Sequence, residues 1–117
     1  MLYDTFYGPF IGPRSYDYYL DSSELRRLRQ FYKNLETLPH YTVIESDDRH
    51  ALVYDQENGN VVLFSYWTHV ADVTAAGRLV RVWDDWSATT AKHVKRLCQY
   101  CGISYPNKKE WLAMPTE

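Results

Sequence analysis

The sequence predicts an α+β fold in which helices cover an antiparallel meander of about five strands, and three observations carry that prediction. Between residues 41 and 83 run five short apolar segments rich in β-branched and aromatic residues, separated by turn-forming residues; this is the pattern of consecutive strands. A segment before them and another after them place apolar residues at helical spacing. The chain has 117 residues, enough for one hydrophobic core, so it reads as a single domain over 1–117.

Residues 1–19, MLYDTFYGPFIGPRSYDYY, have no steady period and contain the breakers Gly8-Pro9 and Gly12-Pro13. They also hold seven aromatics: Tyr3, Phe6, Tyr7, Phe10, Tyr16, Tyr18 and Tyr19. That much aromatic surface is costly to leave in water, so this extended arm is expected to lie on its own domain or on a partner.

A helix is expected over 20–38. Asp21 and Glu24 form a capping-box pair, Leu20 and Leu25 occupy the staple positions, and Leu25, Leu28, Tyr32 and Leu35 make one stripe before Pro39 stops the helix. The sheet is expected over 40–83, as YTVIES (41–46), ALVYDQ (51–56), VVLFSY (61–66), THVADV (68–73) and RLVRVW (78–83). Asn58-Gly59 suits a type I′ hairpin turn, which needs positive φ at both central residues. Such a sheet can face water on one side, with a helix on the other. A second long helix is expected over 87–102, from Ser87 to the C-capping Gly102, and a short one over 107–114 around Trp111 and Leu112.

Composition narrows the functional classes. Apolar residues make up 45% and charged residues 24%, values of a folded globular domain. No apolar run reaches the length of a spanning helix, and the N-terminus lacks a signal-peptide pattern, so no membrane association and a cytoplasmic location are expected. Two cysteines make no disulfide framework. Eleven tyrosines and four tryptophans exceed the needs of a small core and point to a recognition surface. Net charge is -2, yet the charges are sorted: residues 26–33 and 92–109 carry bases without acids, while the middle carries Glu45, Asp47, Asp48, Asp55 and Glu57 among its acids.

The densest chemistry is WDDWSATTAKHVKRLCQYCG, residues 83–102. Zinc needs four ligands, and a single Cys98-x-x-Cys101 pair on the apolar stripe of a helix supplies two; the core reading of these cysteines is the stronger. A redox pair belongs at a helix N-terminus, and this one sits at the C-terminal end. Ser87, Thr89, Thr90 and His93 offer a hydroxyl and an imidazole without an oxyanion loop, so no catalytic constellation is complete and no cofactor is implied. Asp84 and Asp85 would repel a phosphate at the helix start. What stays outward is a basic face of Lys92, Lys95 and Arg96. With Arg26, Arg29 and Lys33 of the first helix it could contact nucleic acid, if both helices lie on one face of the sheet; a solvated basic face is the plainer reading.

The segments FSYWTHVADV, WDDWSATTAKHV and NKKEWLAMP together resemble an uncharacterised family of small phage and mobile-element proteins of lactic-acid and related Gram-positive bacteria. The residues that carry the resemblance are Ser65, Tyr66, Thr68, Trp86, Ser87, Thr89, Thr90 and His93, with Lys108 or Lys109 in the tail. It spans roughly 60–115 and implies a mobile-element context and action inside the host cell, with no activity attached. The resulting expectation is a non-enzymatic protein that binds a host macromolecule, such as an inhibitor or modulator of a nucleic-acid-handling or defence protein. Its contacts would be the aromatic arm with Asp47 and Asp48; the alternative is direct DNA or RNA binding through the basic helix faces. A homodimer is also compatible with an edge strand and surplus aromatics.

Overall fold

A computed structural model describes residues 20–117; the arm, with Tyr3, Phe6, Tyr7, Phe10, Tyr16, Tyr18 and Tyr19, lies outside the described residues. Helix α1 spans Ser22–Leu35 and opens with the expected capping box, Asp21 accepting from the Glu24 backbone and Glu24 reaching back to Asp21. Strands follow as β1 (Tyr41–Ser46), β2 (His50–Asp55), β3 (Val61–Ser65), β4 (Thr68–Val73) and β5 (Leu79–Arg81). Helix α2 (Ala88–Cys101) starts at Ser87, whose side chain accepts from the Thr90 N–H, and ends at Gly102 in the left-handed region. Helix α3 (Lys108–Ala113) is capped by Asn107.

The sheet is a pure antiparallel meander in the order β1-β2-β3-β4-β5. Its register explains the core. Along β2, Ala51 and Val53 point to one face and Leu52 to the other; along β3, Val62 and Phe64 oppose Leu63. Ala51, Val53, Val62 and Phe64 pack with Leu20, Leu28, Tyr32 and Leu35 from the α1 side. Leu52, Leu63, Val70 and Val73 pack with Val94, Leu97 and Cys98 of α2 and Trp111 of α3. Both faces of the sheet are therefore covered, although an antiparallel sheet can leave one face to water. The physical reason lies in ALVYD and VVLFS, which are nearly continuous apolar runs instead of alternating ones, the mark of strands buried on both faces.

Three local differences have clear causes. Strand β5 stops at Arg81 because the backbone N–H groups of Val82 and Trp83 both turn onto Val70 O, at 2.9 and 3.0 Å. Strand β2 begins at His50, one residue early, because the Asp47 side chain accepts from the Arg49 and His50 backbones and closes the preceding turn. The β2–β3 connection is not a two-residue type I′ turn. Gly59 has φ +77° while Asn58 does not share a positive φ, and Asp55 N–H pairs with Asn60 O across a four-residue loop. A Cβ at Gly59 would lie 3.1 Å from Ala75 Cβ of the neighbouring turn. Gly59→Ala is accordingly expected to lower stability by about 1–2 kcal/mol, from the left-handed backbone and the crowding together; a urea midpoint equal to that of the parent would show that the loop can rearrange.

No helix among the described residues is long and apolar enough to cross a membrane.

Candidate functional site

In an antiparallel meander, the β1–β2 and β3–β4 turns emerge at the same end of the sheet, and most of the motif residues gather there. Ser65 closes β3 and Thr68 opens β4, so Tyr66 and Trp67 form the tip of a tight turn. Tyr66 is held at φ +53°, where a bulky side chain is strained. Its backbone is fixed on both sides: the Tyr66 N–H donates to Arg49 O at 2.7 Å, and the Tyr32 hydroxyl donates to Tyr66 O at 2.9 Å. The consequence is a presented indole. Trp67 is 43% exposed and rests against Phe31 of α1, ring centroids 5.7 Å apart, with Phe64 behind Phe31 at 5.8 Å.

Beneath the turn a polar chain joins the sheet to α2. Ser65 Oγ is hydrogen-bonded to His93 Nδ1 at 2.7 Å and to Thr90 Oγ1 at 3.1 Å. The His93 ring stacks on His50, with centroids 4.9 Å apart and planes 24° apart. His50 Nε2 lies 3.0 Å from Glu45 Oε2, and Arg96 of α2 grips the same carboxylate through Nη2 and Nε at 2.6 and 3.0 Å. His50 Nδ1 lies 2.9 Å from Asp47 Oδ1 without forming a hydrogen bond. Burial, reinforced by the neighbouring His50, pushes the His93 pKa down to about 4, so its ring is neutral near pH 7. The Arg96 hydrogen bonds, with His50 assisting against burial, hold Glu45 down at about 2.

A hydroxyl bonded to an imidazole invites a nucleophile reading. Ser65 is only 2% exposed, however, and Thr90 is buried with it. An attacking oxygen must reach a substrate carbonyl, and Ser65 Oγ is enclosed between β3 and α2. The arrangement is that of a bolt holding helix to sheet. Among the other motif residues, Ser87 caps α2, Thr89 is buried, Trp86 packs against the α2-side core and Thr68 is exposed at the start of β4. Cys98 is fully buried, and burial together with Cys101 pushes its thiol up to about 11; such a thiol is not a nucleophile near neutrality.

The residues considered for nucleic acid do not form one surface. Arg26, Arg29 and Lys33 lie on α1, while Lys92, Lys95 and Arg96 lie on α2, and the two helices cover opposite faces of the sheet. Several are engaged. Arg29 pairs with Asp48 at 3.0 Å, Arg96 with Glu45, and the Lys95 ammonium sits 5.1 Å from the Tyr105 ring centroid. Asp47 serves the β1–β2 turn, and Asp48 is the partner of Arg29. Sequence reasoning did not single out Glu45, His50 or Trp67, which are brought to the site by cross-strand pairing. Nor did it join His40 to Asp55 and Glu57; their ligand atoms lie within 4.8 Å of one another at the opposite end of the sheet.

The fold and site define a small α+β domain in which a sheet is clamped between helices and one exposed hairpin tip is fastened by hydrogen bonds to its neighbours. The chain belongs to the family of unknown function DUF8033, whose model matches residues 32–113. That span takes in every described residue of the motif and leaves out the arm. No curated protein and no solved structure matches the chain.

Proposed function

We propose that this protein is a non-enzymatic macromolecule-binding protein of a phage or mobile element, and that it inhibits or modulates a host protein that handles nucleic acid or serves in defence. In this reading it acts in the host cytoplasm and meets its partner through the Tyr66–Trp67 turn. The observation that carries the reading is the exposed indole of Trp67 on a backbone strained at Tyr66 and pinned by Arg49 and Tyr32. Tryptophan on a preorganised tip anchors interfaces because it buries much area at little entropic cost. Strain that persists at a well-fixed turn is the kind kept for recognition. The mobile-element context rests on the resemblance carried by Ser65, Tyr66, Thr68, Trp86, Ser87, Thr89, Thr90 and His93. Direct nucleic-acid binding draws less support, since its basic residues are split between two faces and partly paired with acids.

The test is comparative capture of host proteins after nuclease treatment, with the parent chain, Trp67→Ala and Leu112→Ala as baits. Leu112 is an equally exposed apolar residue on α3. A partner kept by the parent and Leu112→Ala is expected to bind Trp67→Ala about 30-fold more weakly, the effect of one strong hot spot. Stability of the variant should change by about 1 kcal/mol or less. Undiminished capture by Trp67→Ala removes the turn from the interface, and capture abolished by nuclease favours the nucleic-acid alternative.

A further inference from the structure

At the end of the sheet away from Trp67, three potential ligands converge outside the Tyr66–Trp67 turn and the polar chain beneath it. His40 immediately precedes β1, and its carbonyl accepts from the Gln56 N–H at 2.7 Å, which locks the entry to β1 beside the exit of β2. Tyr41 pairs with Asp55 across β1 and β2, placing the two side chains next to His40. Asp55 Oδ1 accepts from the Glu57 N–H at 2.9 Å, which turns the loop so that Glu57 comes back toward the strand end. The imidazole and both carboxylates thus come within 4.8 Å of one another.

We propose that His40, Asp55 and Glu57 form a binding site for a divalent first-row transition-metal ion of the zinc class. Asp55 is an acid only 9% exposed, and its side-chain hydrogen bond is the one from Glu57 N–H; among the described residues it has no ion pair with lysine or arginine. A buried carboxylate ordinarily needs a countercharge. The neighbour that its side chain engages, Glu57, is itself an acid. Two carboxylates and a neutral imidazole balance the charge of a divalent ion. The imidazole discriminates between metals, since calcium and magnesium favour all-oxygen ligands whereas zinc takes nitrogen and oxygen together. Tetrahedral coordination at about 2.1 Å puts ligand atoms about 3.4 Å apart, so the donors must close by roughly an ångström. Glu57 is exposed in a loop and can supply that movement. Water would complete the shell, and the ion would tie the start of β1 to the β2–β3 loop.

The site is tested on the full chain after chelator treatment, by calorimetric titration and thermal melts with zinc chloride, and with magnesium and calcium chloride in parallel. One zinc ion per chain is expected, together with a rise in Tm. His40→Ala and Glu57→Gln should each weaken binding at least roughly 10-fold, the loss that removing even an outer-shell partner brings. Asp55→Asn should do the same, but its burial makes the two more exposed positions the decisive ones. His93→Asn and Cys101→Ser should keep the parent affinity, which separates this site from the other histidines and thiols. The proposal fails if zinc leaves the parent Tm unchanged, if His40→Ala and Glu57→Gln bind like the parent, or if magnesium or calcium acts as strongly as zinc.

Discussion

Trp111→Ala is expected to lower unfolding free energy by about 3–5 kcal/mol, the range for deleting a large buried aromatic. Trp111 is 1% exposed, sits in the core between sheet and α2, and donates from Nε1 to Asp85 O at 2.7 Å. The Arg81 guanidinium lies 5.6 Å from its ring and donates to Met114 O at 2.7 Å and Trp83 O at 2.9 Å. One side chain therefore holds α3, the approach to α2 and the last strand. Helix α3 has six residues, too few to be stable without packing. Since small domains are stable by only about 5–15 kcal/mol, the variant should be partly unfolded near 37 °C. Trp111→Phe should lose less, because it refills most of the volume and orphans only Asp85 O. Urea denaturation at 25 °C measures both, and a loss below about 1 kcal/mol for the alanine variant would mean that the sheet does not depend on α3.

Acid should destabilise the protein from an unusually high pH. The folded-state pKa of His93 is about 4, below the 6.5 of a free histidine. Between those values the unfolded chain binds a proton that the folded chain refuses. The contribution is complete above pH 6.5 and is lost as pH falls to 4; 2.5 units correspond to about 3 kcal/mol at most. The groups around the ring are His50, Asp47, Arg49 and Lys92, of which only Asp47 favours the proton. Glu45, held at about 2 from 4.5, continues the trend in the same direction at lower pH. Urea midpoints from pH 7.5 to 4 should fall steeply below 6.5 in the parent and more gently in His93→Asn, whose amide can still bond Ser65 Oγ. An equal slope in both proteins would assign the acid sensitivity elsewhere.

How far the sequence anticipated these features depends on the range of the interaction. Caps and periods are local, so Asp21–Glu24, Ser87 and Gly102 marked helix ends, and β1 and β4 came out at their observed limits. The covering of both sheet faces is written less plainly, because a five-residue apolar run such as VVLFS identifies a strand without naming the element that packs on each of its sides. The cysteines of α2 fell on the core stripe that periodicity assigns them. Residues of the turn end were only half visible. Ser65, Tyr66, Thr90 and His93 stood out as a motif, but the Ser65–His93 bond crosses 28 positions and the Glu45–Arg96 pair crosses 51. Such partners are chosen by register and helix docking, and no spacing in the chain announces them. The strain at Tyr66 was invisible for another reason: tyrosine is a residue that positive φ disfavours, so its presence there runs against local propensity.

The neighbour-to-neighbour strand order also bears on how the chain reaches its native state. Each strand pairs with the one just synthesised before it, so the sheet can zip hairpin by hairpin without closing a long loop, on the microsecond scale of single hairpins. The distant closures fall to the helices: α1 must find the Tyr66 carbonyl 34 positions away, and α2 must bring Arg96 back to β1. Until both have docked, the two apolar faces of the meander are open to other chains, so the interval between hairpin formation and helix docking is the one in which this protein is exposed to aggregation.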